Sequence, residues 1–404
     1  MTASLLHRYG RSTSAGQDHW FALADEAAAI LGADALERDL ANKPPFTEVE
    51  VLRRSGLLPL TIPTRFGGAG IDWETAFEIV QRIARADNSL GQLLGYHYIF
   101  QSFPYIDLDA ERGQALADEC LAQQWLWSST GTPQGPQATA RRVDGGYLVT
   151  GKKPFSTGSR VAERIYGRAV VDGGDRLALV IDTASEGVIR HDDWDVLGSR
   201  LTATNTIEFR DVFVPDTDVI TNLGAHDGER QPHQVLTTPA FQLLFAHAYL
   251  AAAEGAVLAA RDYTLAGARP WFHAEVETAA EDPFIQNHYG SFAARLQSLA
   301  AVVDQATTAL QWAWDAGEAL TAADRAGVAE QIAAAKITAH EVSLDVTARI
   351  FDVTGARAAG SKYGFDRYWR DVRTHTLHDP VAYKYNELGR YFLNGTEPVP
   401  SAYR

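Results

Sequence analysis

A mainly helical α+β chain, ordered as helices, then a β-module, then a helix bundle, is what three observations predict. Strong helix formers with apolar residues on a recurring face dominate residues 17–118. Short alternating runs separated by Gly/Asp turns occupy 122–228, and long helical segments return from 233 onward. No long helix separates the β-type runs, so a small antiparallel barrel is expected and a doubly wound parallel sheet is not. For 404 residues this implies three parts, a helical domain over 1–120, a central β-barrel over 121–228 and a helical bundle over 229–404.

The first helix is placed by Trp20 to Leu31, rich in alanine and leucine with a recurring apolar face. Ile62-Pro63-Thr64-Arg65-Phe66-Gly67-Gly68-Ala69-Gly70 breaks regular structure, and a second helix runs from Trp73 to Ala86. Tyr147 to Thr150, Leu177 to Ile181 and Thr206 to Val214 read as strands, the first two entered from the glycine turns Gly145-Gly146 and Gly173-Gly174. Phe241 to Gly267, Tyr289 to Gly317, Ala322 to Thr354 and a shorter tail read as helices. Four such helices bury their stripes only against one another, which predicts a four-helix bundle.

Composition narrows the partners. A formal net charge of −15 and a pI near 5.2 argue against nucleic acid or an anionic membrane surface. Cys120 is the only cysteine, so neither an intrachain disulfide nor a cysteine metal site is expected. The opening residues lack the apolar core of a secretory signal and no run of 18 apolar residues occurs, which predicts a cytoplasmic protein. Glycine-rich dinucleotide and P-loop fingerprints, the G-x-S-x-G elbow and H-E-x-x-H are absent. His375 and His378, followed by Asp379, lack a second carboxylate-rich helix to complete a ligand set, so no metal is expected.

Local motifs carry more. Ile62-Pro63-x-x-Phe66-Gly67-Gly68-x-Gly70, Trp127-Ser128-Ser129-Thr130 and Gly151-Lys152-Lys153-Pro154-Phe155-Ser156-Thr157-Gly158 follow in order. So do Gly95-Tyr96-His97, Asp192-Asp193-Trp194, Arg269-Pro270-Trp271, Gly355-Ala356-Arg357 and Trp369-Arg370-Asp371 through Thr374-His375-Thr376-Leu377-His378-Asp379-Pro380. This set resembles the acyl-CoA dehydrogenase superfamily over nearly the whole chain. Within it, the likeness is to the dibenzothiophene monooxygenase group of two-component flavin enzymes.

The resemblance implies a flavin whose edge meets Ser128, Ser129 and Thr157, and whose phosphate is held by Arg269 and Arg357, partly across a subunit boundary. It implies reduced FMN, with FADH₂ as the other flavin the arginines would accept, and O₂ as co-substrate. A reduced flavin forms a C4a-hydroperoxide with O₂, which survives only where water is excluded and its oxygens are hydrogen-bonded. Tyr96, Thr157 and His378 have the chemistry for that, with His375 as the alternative histidine; Gln92, Tyr96 and Trp194 are the expected substrate pocket. No nicotinamide segment is visible, so a separate NAD(P)H-dependent flavin reductase is expected. A homotetramer is implied, and the helix Phe241 to Ala260, apolar on almost every face, fits burial on several sides.

Two features weigh against a dehydrogenase. Where that branch carries a Tyr-Glu-Gly-Thr base segment this chain reads Leu377-His378-Asp379-Pro380, and the other position, near Ala246, offers no acid. Asp379 remains as a short base, so an FAD-dependent acyl-CoA dehydrogenase stands as the second reading and an inactive scaffold as the third. Against the dibenzothiophene enzymes, Gln92 replaces a histidine, Ser129 an asparagine and Thr157 a serine. These changes leave the substrate open among thiophene-type sulfur, indole or another fused aromatic, a sulfone and an amine.

Overall fold

The computed structural model describes residues 16–130, 135–225 and 230–401. The first residues of the chain and the expected boundary at 228/229 lie outside them. The N-terminal part comprises α1 (Asp18–Gly32), α2 (Ala35–Ala41), α3 (Phe46–Arg54), α4 (Trp73–Ala86), α5 (Asn88–Ser102), α6 (Pro104–Asp107) and α7 (Ala110–Gln123). Asp72 caps α4 by accepting from the Thr75 amide at 2.6 Å, and Asp87 both ends α4 and caps α5 through Leu90. The turn before α4 needs its glycines. A Cβ on Gly68 would lie 2.1 Å from the Ile62 carbonyl oxygen, whose other neighbour is the Gly70 amide.

Eight strands follow among the described residues: β1 (Trp127–Ser129), β2 (Ala138–Val143), β3 (Gly146–Lys153), β4 (Arg164–Val170), β5 (Arg176–Asp182), β6 (Val188–Arg190), β7 (Ile207–Pro215) and β8 (Val219–Asn222). They form one sheet in the order β6-β7-β3-β2-β4-β5-β8, with β1 beside β4. The expected all-antiparallel barrel is corrected here, because β1 and β2 both run parallel to β4 and the sheet is mixed. Direction follows from the connection. Residues 154–163 carry the chain from β3 back across the sheet end, so β4 enters on the far side of β2 in the same sense.

The C-terminal part contains α8 (Thr237–Leu265), α9 (Pro283–Ala316), α10 (Ala322–Arg349), α11 (Phe351–Thr354), α12 (Asp366–His375) and α13 (Val381–Asn394). The expected short tail is thus two helices. Among the described helices only α8 has the length and apolar composition of a membrane span, and 83% of that window is buried in the protein. Gly95 lets α5 meet α8 closely, since a Cβ there would sit 2.2 Å from Leu244. Several polar side chains inside this packing are paired. Gln81 and Thr307 each hold one nitrogen of His247, and Arg85 meets Glu254 at 2.5 Å. One continuous apolar core runs from Phe21 in α1 to Val372 in α12, and a smaller one fills the sheet between Ala138 and Val214. The site lies where these meet, around α5, all fifteen of whose residues are buried.

Candidate active site

His97 fixes the first wall. The Trp127 amide donates to its Nδ1 at 3.0 Å, so the proton sits on Nε2, which reaches the Leu58 carbonyl at 2.7 Å. Burial pushes this imidazole down to about 4, and it stays neutral as a strut between α5 and β1. β1 then presents Ser128 and Ser129, both buried, and the Ser128 hydroxyl donates to the Thr157 carbonyl. Thr157 sits just before Gly158, whose φ of +81° turns the segment toward Leu93 of α5. The Thr204 hydroxyl donates to the Thr157 hydroxyl at 3.1 Å, and the Gly158 amide to the Thr202 carbonyl at 2.9 Å. The three residues predicted for the flavin edge therefore come together. Half-buried Trp194 lies at the rim, its indole donating to the Ser199 carbonyl at 2.9 Å and meeting exposed Phe155 edge-on.

A second wall is aromatic. Tyr96 packs against Phe241 at 5.0 Å, Phe100 at 6.0 Å and Phe245 at 6.2 Å, while Phe100 stacks on Tyr166 of β4. Phe245 meets His375 edge-on at 4.4 Å, and Tyr249 meets the same ring at 5.5 Å. The Tyr96 hydroxyl lies 3.5 Å from His375 Nε2. Burial, then the charges of His378 and Lys336, hold His375 well below its ordinary range, so it is neutral. Its Nδ1, the Tyr249 hydroxyl and Gln92 Oε1 are buried without a hydrogen-bond partner among the described residues. Three such atoms near one aromatic group are what a polar-edged ligand would satisfy.

His378 is exposed along 41% of its side chain, touching Phe245 at 4.9 Å and Asp379 at 3.2 Å. Of the two histidines, the structure buries His375 beside Tyr96 and leaves His378 at the edge. Asp379 is engaged elsewhere. Its carboxylate meets Lys336 Nζ at 2.5 Å, and that ammonium also donates to Gln242. Burial alone would raise Asp379, but the His378 hydrogen bond and the Lys336 charge outweigh it and hold the acid well below the usual carboxylate range. An acid so stabilised as its anion is a poor proton acceptor.

Arg269, between α8 and α9, and Arg357, after α11, are both exposed, and neither guanidinium forms a hydrogen bond or ion pair among the described residues. The structure therefore does not join them to Thr157 within one chain. Among the described residues no group of His, Cys, Asp and Glu is arranged to hold a metal. A recess beside Trp73, Tyr105 and Trp314 contains none of the predicted site residues. Sequence reasoning missed the α8 contribution. Phe241, Phe245 and Tyr249 recur every four residues, a spacing that puts them on one helix face, here the face against His375.

Comparisons with known proteins identify the family and the fold. Residues 22–108 match the acyl-CoA dehydrogenase N-terminal domain and 243–382 the acyl-CoA dehydrogenase C-terminal domain. The chain is 41% identical to a dibenzothiophene monooxygenase of Mycolicibacterium goodii, over 90% of this chain and 91% of that protein. It is 36% identical to a probable FMNH₂-dependent monooxygenase of Pseudomonas putida, over 95% and 96%. Among solved structures, the FMN and indole complex of the Paenibacillus dibenzothiophene monooxygenase superposes with a TM-score of 0.90 at 35% identity, covering 95% of this chain and 99% of that one. A methanesulfinate monooxygenase of Pseudomonas fluorescens gives 0.90 at 34%, with the same coverage. With its helix–sheet–bundle order, hydroxyl wall and aromatic wall, the chain belongs to the dibenzothiophene monooxygenase group of the acyl-CoA dehydrogenase fold.

Proposed function

We propose that this chain is the oxygenase component of a two-component monooxygenase, using reduced FMN and O₂ to place one oxygen atom on a flat aromatic or heteroaromatic substrate. The observation that carries the reading is the pairing of Tyr96 of α5 with neutral, buried His375 in an aromatic enclosure, with the Ser128–Ser129–Thr157 wall packed against the same helix through Leu93. When bound, the reduced flavin supplies two electrons, so that one oxygen atom of O₂ goes to the substrate and the other leaves as water. The oxygenated flavin expected from the sequence belongs to this reading.

Each residue then has a task. Thr157 and the serines of β1 meet the ring edge with a hydroxyl and backbone groups. If Tyr96 donates to His375 Nε2, the His375 proton sits on Nδ1, which lacks a partner among the described residues and is available to a ligand as donor. Phe241, Phe245 and Phe100 exclude water, which favours an aromatic substrate such as a thiophene sulfur compound or an indole over a charged one. Exposed Arg269 and Arg357 fit phosphate binding at a site completed by a neighbouring copy, within a homotetramer. FADH₂ is the alternative flavin, a separate NAD(P)H-dependent reductase the electron source, and the cytoplasm the location.

The acyl-CoA dehydrogenase reading is opposed by the Lys336–Asp379 pair, which occupies the only acid at the base position. Stopped-flow mixing of the reduced-FMN protein with O₂ separates the two. A long-lived oxygenated flavin absorbance that decays to product with an aromatic sulfide or indole is the expected result. Bleaching of bound FAD by an acyl-CoA under anaerobic conditions, with no oxygenated species, would overturn it.

A further inference from the structure

The loop over 197–205 is held from one side by α12 and itself holds Thr157 on the other. On the α12 side, the Ser199 amide donates to Asp371 Oδ1 at 2.6 Å, and Arg370 Nη1 donates to the Leu197 carbonyl at 2.9 Å. Gly198 lies directly on the helix, since a Cβ there would be 2.2 Å from the Arg370 carbonyl carbon. The loop is not relaxed. Ser199 and Ala203 take φ values of +55° and +48°, which non-glycine residues adopt only under external restraint. On the Thr157 side, the Thr202 and Thr204 hydroxyls are 2.7 Å apart and Thr204 donates to Thr157. Asp371, Ser199, Thr202, Thr204 and Thr157 are all buried.

Each hydroxyl has one proton, so the direction of this chain decides what Thr157 offers. The Thr202 hydroxyl donates to the Ser199 carbonyl at 2.8 Å and Thr204 donates its own proton to Thr157, so the Thr157 proton is free to point away from the loop. We propose that Asp371 and Thr204 are positioning residues: Asp371 clamps the strained Ser199–Ala203 turn onto α12, and Thr204 saturates the Thr157 oxygen so that its proton faces the flavin edge. The inference rests on the flavin reading of Thr157 given above. It ties the helix that carries His375 to the segment that meets the ring, so the two walls of the site move as one. The burial of Asp371, with Asp87 and Asp39 nearby, pushes its carboxyl up to about 7 despite the Ser199 amide and Arg367, and Arg38 and Arg370 are the other charges close by. The clamp carboxylate thus stands close to neutral-pH protonation.

A double-mutant cycle read by oxidised FMN binding tests this. Thr204→Val and Asp371→Ala should each weaken FMN by roughly tenfold, the scale of one hydrogen bond to a charged or ordered partner. The double variant should be hardly weaker than the worse single, because both changes release the same hydroxyl. Asp371→Asn keeps an acceptor for Ser199 and should return affinity to within about twofold of the native protein. Hydrogen exchange on the flavin-free protein gives a second readout: the Gly158 amide, bonded to Thr202, should exchange about tenfold faster in Asp371→Ala and at the native rate in Asp371→Asn. Additive losses in the cycle, or a native Gly158 exchange rate in Asp371→Ala, would overturn the inference. Failure of the native protein to bind FMN while the exchange result holds would overturn the function reading and the flavin-facing role of Thr157, leaving the clamp itself standing.

Discussion

Lys336 and Asp379 form a buried ion pair, Nζ to Oδ1 2.5 Å, beneath the ring of Phe245. Burial pulls the ammonium down to about 8, against the pull of Asp379 in the other direction. Gln242 and His378 complete the group. Lys336→Met should leave the carboxylate buried without its cation, at a cost of about 3–5 kcal/mol. Urea titration at neutral pH checks this; a loss under about 1 kcal/mol would mean that His378 alone suffices for Asp379.

Asp371 gives a pH signature. Its folded-state pKa of about 7 lies above its ordinary 3.8, so between those values the folded protein binds more protons than the unfolded chain. This group's contribution to stability is therefore full below pH 3.8 and falls as pH rises to about 7. Asp371→Asn removes the titration. The difference in unfolding free energy between variant and native protein should shift in favour of the variant across that window and level off above it. A difference independent of pH would refute the raised value.

Tyr96→Phe deletes the hydroxyl facing His375 Nε2 and leaves the aromatic packing with Phe241 intact. Unfolding free energy should change by less than about 1 kcal/mol. Substrate oxygenation with FMN and an external reductase should fall by roughly ten- to a hundredfold, with more hydrogen peroxide released per NADH consumed. His375→Gln, which keeps a polar group but not the imidazole, should show the same uncoupling. Native coupling in both would move the proton-handling role to His378.

Arg269→Ala and Arg357→Ala remove exposed guanidinium groups that have no partner in their own chain among the described residues. Each should weaken FMN binding by about ten- to a hundredfold, read by calorimetry, with apoprotein melting little changed. Light scattering should find a tetramer. A monomer that binds reduced FMN tightly would contradict both the shared site and the assembly.

Much of the architecture was legible because it is local. The Trp73–Ala86 helix follows the break at 62–70, and that turn follows from its proline and glycines. Strand direction was not, since β2 runs parallel to β4 through a connection across the sheet end that no alternation encodes. At the site, Ser128, Ser129, Thr157 and Tyr96 were legible as motif positions. The division between His375 and His378 was not, because three residues of α12 and its C-terminal turn separate burial from exposure and only α8 decides which is which. Asp371 was quoted within a motif and given no role. Its meaning depends on a loop 172 residues earlier.

The main apolar core joins Phe21 to Val372, and the site loop is closed only when α12 arrives. A nascent chain therefore has no finished core until nearly its whole length is available. Contacts of such sequence separation slow folding and leave α5, with its fifteen buried residues, dependent on partners not yet synthesised. Splitting the gene between sheet and bundle should yield two insoluble halves, and co-expression should restore a soluble protein if the halves find each other before they aggregate.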